Sequence, residues 1–184
     1  MKKLILGLIL CLTLTGCNSD EDAIEQEKYA NYSALYKTIL DTSEFLESSD
    51  YFTTQLIVDP LDDGTYRYYV IIDEPQVAMY DVTALACIAS ELDITSDKMC
   101  PNVGIYEDKQ YIMIPNQKNV AENYVSGLSL SAISENSELI VDVVVEWYDK
   151  THTNNYRQLI QLNNQVEAAE ASIEDTTEIN DTGE

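Results

Sequence analysis

The chain has 184 residues, with 33 Asp and Glu against 10 Lys and Arg and a formal net charge of -23. A surface this acidic repels phosphate backbones and anionic headgroups, which argues against a nucleic-acid partner and against electrostatic docking onto a bilayer. The length suits one domain of ordinary size beside a short N-terminal segment.

That segment opens with Lys2 and Lys3, followed by the apolar run Leu4 to Leu14. About eleven residues match the core of a signal peptide and fall short of the roughly 20 needed to span a bilayer. The run ends in Leu14-Thr15-Gly16-Cys17: a leucine three before a cysteine, a small polar residue, then glycine. Residues 1–17 resemble the signal peptide and lipobox of bacterial lipoproteins. The resemblance implies that Cys17 is diacylated, becomes the mature N-terminus and anchors the chain to the extracytoplasmic face of the cell membrane. Each buried methylene contributes about 0.8 kcal/mol, so two acyl chains hold durably where one holds weakly. An ordinary cleaved secretory signal, with Cys17 incidental, is the alternative.

Of the four cysteines, Cys11 lies inside the apolar run and Cys17 is the lipid site that the resemblance implies, leaving Cys87 and Cys100. In an extracytoplasmic domain these two suggest a disulfide closing a loop of about a dozen residues, worth about 3 kcal/mol in the chain-entropy picture. Two free thiols, with Cys87 a small buried hydrophobe, fit the sequence as well. No histidine lies near enough to make a metal pair.

Residues 18–50 read as an N-terminal helix or tether. Ser19 or Asp20, backed by Glu21 and Asp22, offers a start, and Tyr32, Leu35, Tyr36, Ile39, Leu40 and Leu46 recur at helical spacing until Ser48-Ser49-Asp50. The stripe is expected to pack on the domain's own sheet; pairing with a helix of another protein is the alternative.

From Tyr51 the period becomes two. Phe52 to Asp59 and Thr65 to Ile72 read as a hairpin about Asp62-Asp63-Gly64. Val77 to Ser90 is ambiguous and read as a strand; Glu91 to Asn102 is polar and read as a surface loop. Val103 to Tyr106, Gln110 to Ile114 and Tyr124 to Ile133 follow as strands. Glu138 to Tyr148 is the strongest, with Leu139, Val141, Val143, Val145 and Trp147 on one face, and is expected at a sheet's centre. Tyr156 to Leu162 returns beside it. Residues 164–184 carry no Lys or Arg and little apolar bulk, and are expected to form a disordered acidic tail.

This pattern predicts a mainly β fold, an antiparallel β-sandwich over 51–163 preceded by one helix, with an immunoglobulin-like arrangement as the analogy. The hallmark pairing of inter-sheet cysteines with a core tryptophan is missing, because Cys87 and Cys100 are close in sequence and Trp147 falls late.

Catalytic chemistry finds little support. The single histidine, His152, sits in a polar turn, and no glycine-rich phosphate loop, HExxH or CxxC occurs. No cofactor and no metal site is expected: Asp59, Asp62 and Asp63 crowd a hairpin loop but lack the alternating ligand spacing of a calcium loop. Thirteen tyrosines against two phenylalanines are a better clue, with Tyr66, Tyr68 and Tyr69 together on one strand. The reading is a lipid-anchored, non-catalytic envelope module, in contact with the membrane through Cys17 and with an envelope protein partner. A small-ligand receptor or accessory subunit of an envelope transport system is the alternative.

Overall fold

The computed structural model describes residues 19–93, 95 and 98–164. The lipobox with Cys17, and the acidic tail from residue 165, lie outside the described residues.

Helix α1 spans Ser19–Asp41. It is free of Gly and Pro, and Glu21 and Asp22 in its first turn complement the positive end of the helix dipole. Tyr32, Leu35 and Ile39, at three- and four-residue spacing, are buried against Leu85, Cys87 and Val144 of a sheet, so the stripe packs on the domain itself. The helix stops earlier than the periodicity suggested. Thr38 and Thr42 turn their hydroxyls back onto the carbonyls of Ala34 and Thr38, and Thr42 N–H donates to Ile39 O in a tighter closing turn. Leu46, assigned to the stripe by spacing alone, is extended and forms a parallel bridge to Ile160.

Strands β1 (Thr53–Pro60) and β2 (Tyr66–Asp73) form the expected antiparallel hairpin. Its turn is fixed by Gly64 at φ 85° and by the Asp63 carboxylate, which accepts from Thr65 N–H. Strand β3 is Tyr80–Ile88, β4 only Asn102–Val103, β5 Gly127–Ser134, β6 Ile140–Tyr148 and β7 Asn155–Asn163. They form two sheets, β1-β2-β5 and β4-β3-β6-β7, with every neighbouring pair antiparallel. Lettered A, B, C, C′, E, F, G in chain order, the sheets read ABE and C′CFG, an immunoglobulin-like connectivity in which the fourth strand joins the second sheet.

The core lies between the sheets. Leu139, Val141, Val143, Val145 and Trp147 face Phe52, Leu56, Tyr68, Val70, Ile72, Leu128 and Leu130, all buried. Strand β6 is central, flanked by β3 and β7, and its other face is also covered, since Val144 lies beneath α1.

Two expectations fail between residues 103 and 126. No strand runs from Val103 to Tyr106: Gly104, at φ 76°, turns the chain out of β4, and its N–H donates to Glu107 Oε2 at 2.5 Å. Residues 110–114 form no strand either. They run as an arm held by single bridges, Met113 to Met79 just ahead of β3 and Ile112 to Tyr124, and Tyr124 stands outside β5. Met113 is buried in the core all the same, but Pro115 follows too soon for a ladder to extend.

Candidate functional site

Four structural features bear on function, and the first sits where α1 crosses the outer face of β3, β6 and β7. A cleft of about 250 Å³ is lined there by Asn31, Asp81, Thr83, Glu146, Tyr148 and Arg157 over an apolar floor of Ala34, Leu35 and Ile105. Its geometry comes from a β-bulge: the β3–β6 register slips by one residue between Tyr80 and Thr83. Val82 N–H, displaced from the ladder, donates to Tyr111 O at 2.9 Å. Asp81, in the bulge, adopts φ 49° and brings its Oδ2 to 3.3 Å from His152 Nδ1. His152 is itself left-handed, at φ 53°, and stacks on Tyr148 with ring centroids 5.4 Å apart.

The turn that presents His152 is organised by Asp149. Its carboxylate accepts from Asn154 Nδ2, from the hydroxyl and N–H of Thr151 and from Thr153 N–H. The Asn154 bond contributes most, and together these bonds hold the Asp149 carboxyl down at about 2. Across β6 and β7, Glu146 and Arg157 are directly opposed and joined by an ion pair. The cleft therefore presents one carboxylate partnered by an imidazole, one carboxylate paired with a guanidinium and several hydrogen-bonding groups. Among the described residues no hydroxyl or thiol is hydrogen-bonded to His152.

The second feature is the outer face of β1-β2-β5, which no element among the described residues covers. Ile57, Tyr69 and Ser131 form one cross-strand row and Gln55, Ile71 and Ser129 the next. At one end this face meets the loop 114–118 in an open cleft of about 740 Å³, lined among others by Ile71, Asp73, Glu74, Asn116 and Lys118. Glu74 and Asn116 hold positive φ, 48° and 59°, so strained backbone edges this cleft as well.

The third is the tyrosine group. Tyr66, Tyr68 and Tyr69 do not form one surface, because neighbouring strand residues face opposite ways. Tyr68 is in the core, where burial pushes its phenol far up, while Tyr69 lies half-buried on the outer face of β1-β2-β5.

The fourth is the cysteine pair. Cys87, on β3, and Cys100 are joined by a disulfide with Cα atoms 5.2 Å apart. The phenol oxygens of Tyr32 and Tyr36 accept from the backbone N–H of Cys100 and Asp93, each at 2.8 Å, so α1 clamps both sides of the disulfide loop. Lys28 adds bonds to Tyr106 O at 2.9 Å and to Asp108 at 2.7 Å. Directly across β3–β6 from Cys87 stands Asp142, buried in the apolar strand and bonded by Gln161 Nε2 at 2.8 Å.

Asp63 is occupied by its own turn, with Thr65 as donor through both N–H and hydroxyl, and among the described residues no three His, Cys, Asp or Glu converge on a metal position. No helix among the described residues is long and apolar enough to cross a membrane. Sequence reasoning missed Asp81, since nothing in Tyr80-Asp81-Val82 announces a bulge. Asp142 was visible as an acid inside an apolar strand. Compared with known proteins, the chain matches no family model, no curated sequence and no solved structure.

Proposed function

We propose that the chain is a lipid-anchored lipoprotein on the extracytoplasmic face of the cell membrane, whose sandwich binds or positions another envelope macromolecule without catalysing a reaction. The observation that carries this reading is the filled sandwich. The space between the sheets is occupied by Phe52, Tyr68, Trp147 and the valines of β6, and the clefts lie on outer surfaces. A receptor that engulfs an apolar ligand needs an internal cavity with a few convergent polar groups. The lipobox ending at Cys17 supports the anchor, and the Cys87–Cys100 disulfide fits an oxidising compartment.

The test has two parts. Cys17→Ser should release the chain from detergent-dependent membrane association; retention of that association with normal processing overturns the anchor. Crosslinking in intact cells, followed by extraction and mass spectrometry, should then return one stoichiometric protein partner. Recovery of the chain alone at every crosslinker length counts against a binding module.

One observation favours a second reading, a small-ligand receptor or transport accessory: the cleft beneath α1, where Asp81, Thr83, Tyr148 and Asn31 converge over an apolar floor. Saturable binding of a small polar ligand, lost in Asp81→Asn, would select it.

A further inference from the structure

Cys87 and Asp142 are directly opposed on neighbouring strands, and such residues carry their Cβ atoms about 4.5–5.5 Å apart on the same face. Here that face is the one under α1. Cys87 is 1% exposed and Asp142 4%. Asp142 receives a hydrogen bond from Gln161, and among the described residues no cation is paired with it. The two sulfurs of the bridge are unequally placed. Cys87 is enclosed, whereas Cys100 is half-buried and lines a surface recess of about 30 Å³ with Glu91, Lys98 and Met99.

A bridge that only stabilises the fold has no use for a carboxyl at this place. Valine there would extend the apolar run of β6, while a buried carboxyl carries a desolvation cost. We propose that Cys87–Cys100 is an exchange-competent disulfide, with Cys100 the sulfur attacked by a partner's dithiol and Asp142 the proton donor and acceptor for Cys87. The inference stands apart from the lipid-anchor reading.

In the reducing direction a partner thiolate attacks the Cys100 sulfur, the Cys87–Cys100 bond breaks, and a mixed disulfide to Cys100 forms. The leaving Cys87 sulfur, which enclosure disfavours as a thiolate, takes the proton of Asp142. The partner's second thiolate then attacks its own sulfur in the mixed disulfide, releasing Cys100 as a thiolate that is protonated by water. The partner dithiol is oxidised by two electrons and the bridge reduced by two. In reverse, the Asp142 carboxylate removes the Cys87 proton so that the thiolate can close the bridge. Burial pushes the Asp142 carboxyl up, against a smaller pull downward from Gln161, which favours a proton available for transfer. Among the described residues, the titratable groups that face this region from the other elements are Tyr32 and Tyr36 on α1, Tyr68 on β2, Tyr106 and, in the disulfide loop, Glu91 paired with Lys98.

The test is the reduction rate of the full chain in detergent with dithiothreitol as the probe dithiol, from pH 5 to 9. The product is trapped by alkylation, and Cys87 and Cys100 are read separately by mass. Expressed per dithiothreitol thiolate, the wild-type rate should fall at least about tenfold as Asp142 ionises, a conservative value for loss of a general acid. In Asp142→Asn it should be low and flat, while the melting temperature of the oxidised protein is equal or higher. A flat wild-type profile overturns the proposal without any variant, as does reduction that saturates with dithiothreitol at the rate of global unfolding. Matching profiles in the two proteins overturn it too.

Discussion

Asp81 and His152 face each other at 3.3 Å, and each holds a left-handed backbone that side chains other than glycine rarely adopt. The bulge demands that conformation of position 81, and glycine would supply it without strain, so the aspartate is there for its side chain. Asp81→Gly should leave the urea midpoint nearly unchanged, because relief of about 1–2 kcal/mol of left-handed strain offsets loss of a partly exposed pair worth about 0–1 kcal/mol. Asp81→Ala keeps the strain and loses the pair, and should be less stable than Asp81→Gly by about 1 kcal/mol. Equal midpoints would mean that the bulge does not constrain position 81.

Two other glycines separate conformational strain from steric overlap. Gly64 and Gly104 both have positive φ, 85° and 76°. A Cβ on Gly64 meets nothing within 4 Å, whereas on Gly104 it would lie 2.4 Å from Val82 O. Gly64→Ala should therefore cost about 1 kcal/mol, the left-handed penalty alone. Gly104→Ala should cost about 2–4 kcal/mol, since the backbone of β3 must also move. Denaturant midpoints of the two variants, measured at unchanged slope, check the order.

Gly104 also marks where the sequence ceased to be legible. Alternation made β6 plain, because Val141, Val143, Val145 and Trp147 share one buried face, and the Asp-Gly turn made the β1–β2 hairpin plain. Between Val103 and Tyr124, Val103, Ile105 and Met113 are buried, but Met113 reaches the core from an arm held by single bridges. Local composition reports burial and not pairing partners. Leu46 failed for a related reason: spacing along a helix continues numerically after the Thr38 and Thr42 hydroxyls have ended it. Among the site features, the cysteine pair and the acid in β6 could be listed from sequence, but their opposition depends on the register of β3 against β6. The Asp81–His152 contact joins residues about 70 positions apart through a bulge with no glycine to announce it.

Acid should loosen the turn that carries His152. The Asp149 carboxyl falls to about 2 in the folded chain, from an ordinary value of about 3.9. A depressed folded value means that its stabilisation is present above pH 4 and is lost as the pH falls through about 2. Asp63, Asp93 and Asp108 are lowered as well, so the test is a difference between two proteins. Melting temperatures of wild type and Asp149→Ala should converge as the pH is taken from 5 to 2. A gap of constant width would show that the carboxylate's charge is not what organises the turn.

The last prediction concerns the centre of the sandwich. Val143 is fully buried on β6, between Ala86 of β3 and Ile160 of β7 and facing the other sheet. Val143→Asp places a carboxylate among these side chains with no cation at hand, which should cost several kcal/mol against a total stability of about 5–15 kcal/mol. The control must be an equally small side chain on a strand whose face is open. Ser131, exposed on β5 beside Tyr69, serves; Thr153 does not, because its N–H and hydroxyl belong to the Asp149 turn and a second carboxylate there would repel the first. Ser131→Asp should shift the denaturant midpoint by less than about 0.5 kcal/mol equivalent. If the two substitutions cost the same, β6 does not lie between two layers and the two-sheet architecture is wrong.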